Sequence, residues 1–186
     1  MPLGSRYPRG WTLILDAQPP LHEYAGPGHW NDPDILMVGS RGMSVEEARA
    51  HFSLWSILAA PLMATNDVRS MSPEIAAILT NQEAIAVDQD ALGLQGTRVK
   101  AANGLEIWAR TLADGGRAVV LFNRSGVEAE IGVRWTEIGF RETDAPAVRD
   151  LWKRQDLGKP AKGYSARVPS HGAAMLRVSP AQPAGR

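Results

Sequence analysis

The chain has 186 residues, with 20 Lys+Arg against 20 Asp+Glu, 44% hydrophobic residues and no cysteine. That length holds one medium domain or two small ones, with enough apolar residues for a sizeable core. Balanced charge argues against a nucleic-acid binder or a polybasic membrane module. No apolar run reaches the roughly 18–20 residues of a membrane-spanning helix, and zero cysteines remove disulfides, thiolate metal sites and cysteine nucleophiles together.

The chain opens on Met1-Pro2-Leu3-Gly4-Ser5-Arg6, which lacks the apolar core of a secretory signal and reads as a ragged beginning. From about residue 10 to 95, helical segments alternate with short apolar strands. Ser44-Val45-Glu46-Glu47 spells a capping box. Val45, Ala48, Phe52, Trp55 and Ala59 then follow the spacing of a buried helix face, which Pro61 ends. Pro61-Leu62-Met63-Ala64-Thr65 reads as a short buried strand. Ser72, Pro73 and Glu74 form a second helix start, with Ile75, Ile78 and Leu79 as its buried face. Strand and helix in alternation signal βα units and a parallel sheet. Two such units cannot cover both faces of a parallel sheet, so further strands are expected from sequence upstream.

Past Gln95 the pattern changes. Leu105, Ile107 and Ala109 alternate with Glu106, Trp108 and Arg110 after the turn dipeptide Asn103-Gly104. Ala118–Phe122 reads as a buried strand, Val127–Trp135 alternates at period two, and Tyr164–Val168 and Ala173–Val178 flank a Ser170-His171-Gly172 turn. Short strands with turns between them predict an antiparallel sandwich. The expected organisation is therefore an α/β portion over residues 1–95 and an all-β sandwich over residues 96–186, joined near 94–97.

The densest chemistry lies in Tyr24-Ala25-Gly26-Pro27-Gly28-His29-Trp30-Asn31-Asp32-Pro33-Asp34-Ile35-Leu36. Pro33 favours an extended Asp32, and in an extended run Trp30, Asp32 and Asp34 point to one side. An aromatic ring with two carboxylates suits a sugar, the ring covering its apolar face and the carboxylates accepting from its hydroxyls. Spacing alone also admits the paired carboxylates of a retaining glycosidase, which stand about 5–5.5 Å apart. A proline turn with a capping aspartate explains the same residues.

This run closely resembles the Tyr-Ala-Gly-Pro-Gly-Gly-Trp-Asn-Asp-Pro-Asp-Met-Leu signature of the melibiase-type α-galactosidases, glycoside hydrolase family 27. The resemblance continues through His51-Phe52-Ser53-Leu54-Trp55, Ala60-Pro61-Leu62-Met63, Asn66-Asp67-Val68-Arg69 and Ile85–Gly96. It extends to Val148-Arg149-Asp150-Leu151-Trp152 and Val168-Pro169-Ser170-His171-Gly172, so it covers nearly the whole chain. It implies the last two βα units of a (β/α)8 barrel followed by a C-terminal antiparallel β-sandwich, and retaining hydrolysis of terminal α-D-galactosides. By the same resemblance, the nucleophile and acid/base aspartates belong to motifs this chain lacks; Asp16 lies in a family helix and takes neither role. No catalytic residue is therefore assigned. Asp34 and Ile35 are the implied sugar-binding pair, with Asp32 supporting the loop and Trp30 lining the pocket or packing. Ile35 replaces the family's usual methionine.

No cofactor or metal is expected: His22, His29, His51 and His171 show no ligand spacing, and His51 reads as a helix or interface histidine. Asp67 reads as a helix-entry residue. Asn123-Arg124-Ser125 is a glycosylation sequon, and Trp108 with Trp152 could mark a sugar-binding face on the sandwich. The expected partner is an α-galactoside once the barrel is complete, with no nucleic acid and no membrane, and with association through the exposed half-barrel. A chain inactive by itself is the first expectation; a non-catalytic carbohydrate-binding or interaction protein is the alternative. The compartment, and related specificities such as α-N-acetylgalactosaminide or β-L-arabinopyranoside hydrolysis, stay open.

Overall fold

The computed structural model describes residues 10–181. The first portion carries four helices, α1 (Trp11–Ala17), α2 (Val45–Ile57), α3 (Pro73–Leu79) and α4 (Gln82–Asp88). A 3-10 turn over Pro19–Tyr24 follows α1. Both predicted helix starts are present. The Ser44 hydroxyl accepts from the Glu47 amide at 3.2 Å while Glu47 Oε2 accepts from the Ser44 amide at 2.9 Å. Ser72 Oγ accepts from the Ile75 amide at 3.4 Å, with Pro73 in the first helical position. Helix α4 was not anticipated; its start is Asn81, whose Oδ1 accepts from the amides of Glu83 and Ala84.

The strand expected over residues 61–65 is reduced to one parallel bridge, Leu36 with Ala64. Pro61 has no N–H to give a ladder. The pairing that forms is Leu36 N–H to Met63 O at 3.0 Å, joined by Thr65 Oγ1 to Leu36 O at 2.8 Å. The opposite edge of this segment has no strand beside it among the described residues, and the Met63 side chain is exposed.

The second portion holds β1 (Thr97–Ala102), β2 (Leu105–Thr111), β3 (Arg117–Asn123), β4 (Ala129–Arg134), β5 (Ala147–Asp150), β6 (Gln155–Asp156), β7 (Gly163–Val168) and β8 (Ala173–Ser179). Six of them form an antiparallel sheet in the order β1-β2-β3-β8-β5-β6, and β4 pairs with β7 as a separate two-stranded sheet. The chain is thus an incomplete set of barrel helices and strands followed by an antiparallel β-sandwich. Asn103 and Gly104, at φ 53° and 77°, make the β1–β2 turn, both in the left-handed region that a two-residue hairpin of this hand requires. The strand expected over 127–135 is shorter: Val127 is exposed, and Trp135 begins a 3-10 turn.

The large sheet is buried on both faces. On one, Ile107, Val119, Leu121, Leu176 and Val178 pack with Ile131, Val133 and Trp135 of the smaller layer. On the other, Trp108, Val120, Phe122 and Met175 pack with Trp11, Phe52, Leu54 and Trp55 of the helical portion. This is why Ala118–Phe122 is an unbroken apolar run. It also explains Glu106, Trp108 and Arg110, which alternation assigned to the opposite side from Leu105 and Ile107 and which are nevertheless buried. Helix α2 is enclosed for the same reason, every residue from Ala50 to Ile57 being buried.

Polar groups lock this interface. Arg110, 1% exposed, donates through Nη1 to the carbonyls of Ser56 (3.0 Å), Val87 (2.7 Å) and Asp88 (3.2 Å). It therefore caps the C-termini of α2 and α4 together, where unpaired carbonyls and the negative helix ends favour a cation. Asp16 accepts from both Arg98 and Arg124, and those two flank the buried Glu106. Arg149 of β5 grips Glu83 of α4 with two bonds, at 2.7 and 2.9 Å.

Replacing Arg110 with Met removes the donor shared by three carbonyls, of which Ser56 O and Val87 O keep long backbone bonds from Ala59 (3.3 Å) and Asp90 (3.4 Å), and the unfolding free energy is expected to fall by about 2 kcal/mol; denaturant titration measures it. Asp88 is the acidic counterpart at the same junction. Burial pushes its carboxyl up to about 6, against the opposing pull of the Gln89 hydrogen bond and the Arg110 charge. The folded state therefore holds a proton that the unfolded chain releases near pH 4, and this residue's contribution to stability falls as pH rises from about 4 through 6. Asp88→Asn is expected to stabilise the chain at pH 7–8 by roughly 1 kcal/mol and to be neutral near pH 4, as thermal melts across that range would record.

Candidate functional site

The segment from Gly26 to Val38 is shaped by its own residue types. Gly26 and His29 exchange backbone bonds at 2.9 and 3.0 Å around Pro27-Gly28. Proline suits the first corner of a type II turn and Gly28, at φ 85°, the second. Asn31 then ties the loop down: its Nδ2 donates to Leu21 O (2.6 Å) and to Gln95 Oε1 (2.7 Å). Gln95 Nε2 in turn donates to Gln18 O at 3.0 Å. This staple crosses from the helical portion to the inter-portion linker, and sequence reasoning missed it, because two glutamines and an asparagine far apart in the chain carry no local signal.

At Asp34 the extended run breaks. Its φ is 74°, in the left-handed region. Asp32 Oδ1 accepts from the Asp34 amide at 2.9 Å, Asp34 Oδ1 accepts from the Ile35 amide at 2.7 Å, and the Asp34 carbonyl accepts from Trp55 Nε1 at 2.7 Å. The shared face predicted for Trp30, Asp32 and Asp34 depended on unbroken two-residue alternation, and the left-handed residue ends that alternation. Asp32 thus serves the loop, accepting from the residue after Pro33. Trp30, 48% exposed, lies against the linker turn, where a Cβ on Gly93 would stand 2.7 Å from its ring. Asp34 and Ile35 are both exposed, and among the described residues Asp34 Oδ2 makes no hydrogen bond.

Behind this segment stands α2. His51 and Trp55, four residues apart on one helix face, are fully buried and stacked, with ring centroids 4.0 Å apart. Trp11 meets both edge-on, at 4.9 and 6.0 Å. His51 Nε2 lies 3.2 Å from the Met37 amide and accepts from it, which requires the proton on Nδ1. Burial pulls the His51 imidazole down to about 3, opposed only by the Ile35 backbone. The expected interface histidine is thus a neutral acceptor beneath the loop.

The other candidates resolve into structure. Asp67 accepts from the backbone and guanidinium of Arg69 at 2.9–3.0 Å within one exposed turn, and that hydrogen bonding holds its carboxyl below the usual range. The sequon residue Asn123 is fully buried, its Nδ2 donating to the carbonyls of Val127, Val168 and Pro169, so the atom a glycan would take is already bonded. Trp108 is fully buried with its indole on Glu106, and Trp152 donates to Ser53 Oγ at the interface. Neither forms a sugar-binding face on the sandwich: Trp108 is enclosed against the helical portion, and Trp152, in the turn after β5, packs and hydrogen-bonds there. Among the described residues, no three His, Asp or Glu side chains converge in a way that could hold a metal.

Two family models match in tandem: Alpha galactosidase A over residues 11–90, and the Alpha galactosidase C-terminal beta sandwich domain over residues 102–178. The chain belongs to the melibiase family of α-galactosidases. It is 48% identical over 158 residues to the alpha-galactosidase of Oryza sativa subsp. japonica, a match that takes in 84% of this chain and 37% of that protein. With alpha-galactosidase 2 of Arabidopsis thaliana the identity is 44% over 171 residues, 92% of this chain and 43% of the relative. The crystal structure of alpha-galactosidase I from Mortierella vinacea superposes with a TM-score of 0.88 at 30% identity, covering 91% of this chain and 44% of that one. The chain thus spans about two fifths of the relatives it matches, and it corresponds to their C-terminal portion.

Because the native imidazole resists protonation while the unfolded one titrates near 6.5, His51 removes stability as pH falls from about 6.5 toward 3. Nitrogen-15 NMR of the imidazole is expected to show the neutral Nδ1–H form persisting at pH 5; a protonated ring in folded protein at that pH would contradict the geometry.

Proposed function

We propose that this chain is the C-terminal part of a retaining α-galactosidase, contributing one wall of the sugar pocket through Asp34 and Ile35 while the nucleophile and the acid/base lie outside its 186 residues. In such a reaction one carboxylate attacks the anomeric carbon and another protonates the departing oxygen, then activates water to release the sugar. Asp34 takes neither role. Its Oδ1 is engaged by the Ile35 amide, which leaves Oδ2 to accept from a sugar hydroxyl. Ile35 offers an exposed, branched apolar surface beside it; Asp32 holds the loop and Trp30 borders it. The observation that carries this reading is the tandem family match joined to the held, outward Asp34.

The open flank of residues 35–37 and 63–65 is where the remaining barrel strands would pair, so the reading includes docking of an upstream barrel portion there. For the alternative, a non-catalytic carbohydrate-binding or interaction protein, the buried Trp108 offers no sugar-stacking surface.

The test joins these 186 residues to the N-terminal portion of the rice enzyme. The fusion is expected to hydrolyse p-nitrophenyl α-D-galactoside, the isolated chain to be inert, and Asp34→Asn in the fusion to raise KM at least roughly ten-fold. Turnover by the pure chain, or a fusion that folds and neither binds galactose nor turns over, would sink the proposal.

A further inference from the structure

Asp34 is an unusual place for a non-glycine residue. A left-handed backbone is strained for a residue with a Cβ, less so for aspartate, and persists where its surroundings over-determine it. Three bonds act at this residue. Two are local, from its own amide to Asp32 and from Ile35 to its carboxylate; neither refers the loop to the rest of the fold. The third does: the Trp55 indole N–H reaches the Asp34 carbonyl at 2.7 Å from a helix whose core residues are wholly enclosed.

We propose that Trp55 is the positioning residue of the sugar site, fixing through its indole N–H where the Asp34 carboxylate stands. The proposal rests on the reading of Asp34 as a sugar ligand. Trp55 touches no substrate. It is 0% exposed, stacked on His51 at 4.0 Å and met edge-on by Trp11 at 6.0 Å, so its ring has no freedom to follow a wandering loop. His51 repeats the device one helical turn earlier, accepting from the Met37 amide at 3.2 Å. Two side chains at positions i and i+4 of one helix thus hold both ends of the four-residue segment 34–37. A single anchor would let the segment pivot; two fix its direction and with it the free Oδ2. Positioning of this kind matters because a ligand-binding group loses effect when displaced by about an ångström.

The test uses the fusion with the rice N-terminal portion. Trp55→Phe keeps a stacking ring and removes the donor. It is expected to raise KM and the inhibition constant for free galactose roughly ten-fold, with kcat changed much less, because a misplaced binding group affects sugar capture before chemistry. Asp34→Asn is measured in parallel. If Asp34→Asn weakens galactose and Trp55→Phe does not, the positioning role is overturned while the site reading stands. If neither changes galactose binding, the site reading falls and the proposal with it. Should Trp55→Phe not fold, replacing Trp55 by benzothienyl-alanine keeps the bicyclic shape and removes only the N–H, and the same two outcomes apply. In the 186-residue chain itself, the Trp55 indole proton is expected to exchange slowly and the Asp34 and Ile35 amide resonances to move in Trp55→Phe. Rapid exchange of that proton would overturn the proposal without reference to activity.

Discussion

A guanidinium with no exit to solvent holds the molecule together. Arg110 leaves the sandwich from the middle of the fold and closes the ends of two helices in the other portion. A buried cation is unfavourable unless its surroundings supply opposite charge, and here that charge is the partial charge of helix termini reinforced by Asp88. The arrangement works only if sheet, α2 and α4 are all in place, so it ties the sandwich to both helices at one point. Apolar surfaces tolerate sliding; one donor shared by three carbonyls on two helices does not.

From that junction the order of the structure passes toward the site through α2. Ser56 O is held by Arg110 at one end of the helix, Trp55 and His51 hold residues 34–37 from its flank, and the Ser44–Glu47 capping box closes its start. The sandwich contributes no described side chain to the loop over residues 31–37, yet it buries the helix that holds it. Trp108 and Phe122 of the large sheet belong to the same apolar cluster as Trp55. The sandwich and the helix beneath residues 34–37 are thus parts of one apolar core.

What was legible in the residues was local. The two serine caps, the turn dipeptides and the strands around Val119 and Met175 act over a few residues, and each formed where its chemistry indicated. The helix at Gln82 escaped because Asn81 is a cap without an amphipathic run behind it. The edge strand β1 and the short inner strand β5 escaped because Val99 and Val148 stand almost alone as apolar markers. Trp108 and Arg110 misled alternation because a sheet covered on both sides obeys no inside–outside rule. The site was legible as a motif and not as a geometry. Nothing in Asp32-Pro33-Asp34 announces a left-handed Asp34, whose bonds include one from an indole 21 residues away, and long-range hydrogen bonds leave no mark in sequence spacing. The His51–Trp55 spacing did carry a trace, two polar-tipped rings on the buried face of a helix.

The two portions differ in how far their edges are closed among the described residues. Along the sandwich side, ion pairs seal both rims, with Asp16, Arg98, Arg124 and Glu106 at one and Arg149 with Glu83 at the other. On the opposite side, Leu36 and Ala64 share a single bridge, and the side chains nearest it, Ile35 and Met63, are exposed. Unpaired parallel strands with apolar neighbours are stable when covered and adhesive when not. The sandwich side is thus closed by charge, whereas the other side presents backbone groups and apolar surface beside a single bridge. Arg110 and the ion pairs therefore lie on the closed side of the molecule, and the exposed Ile35 and Met63 lie on the other.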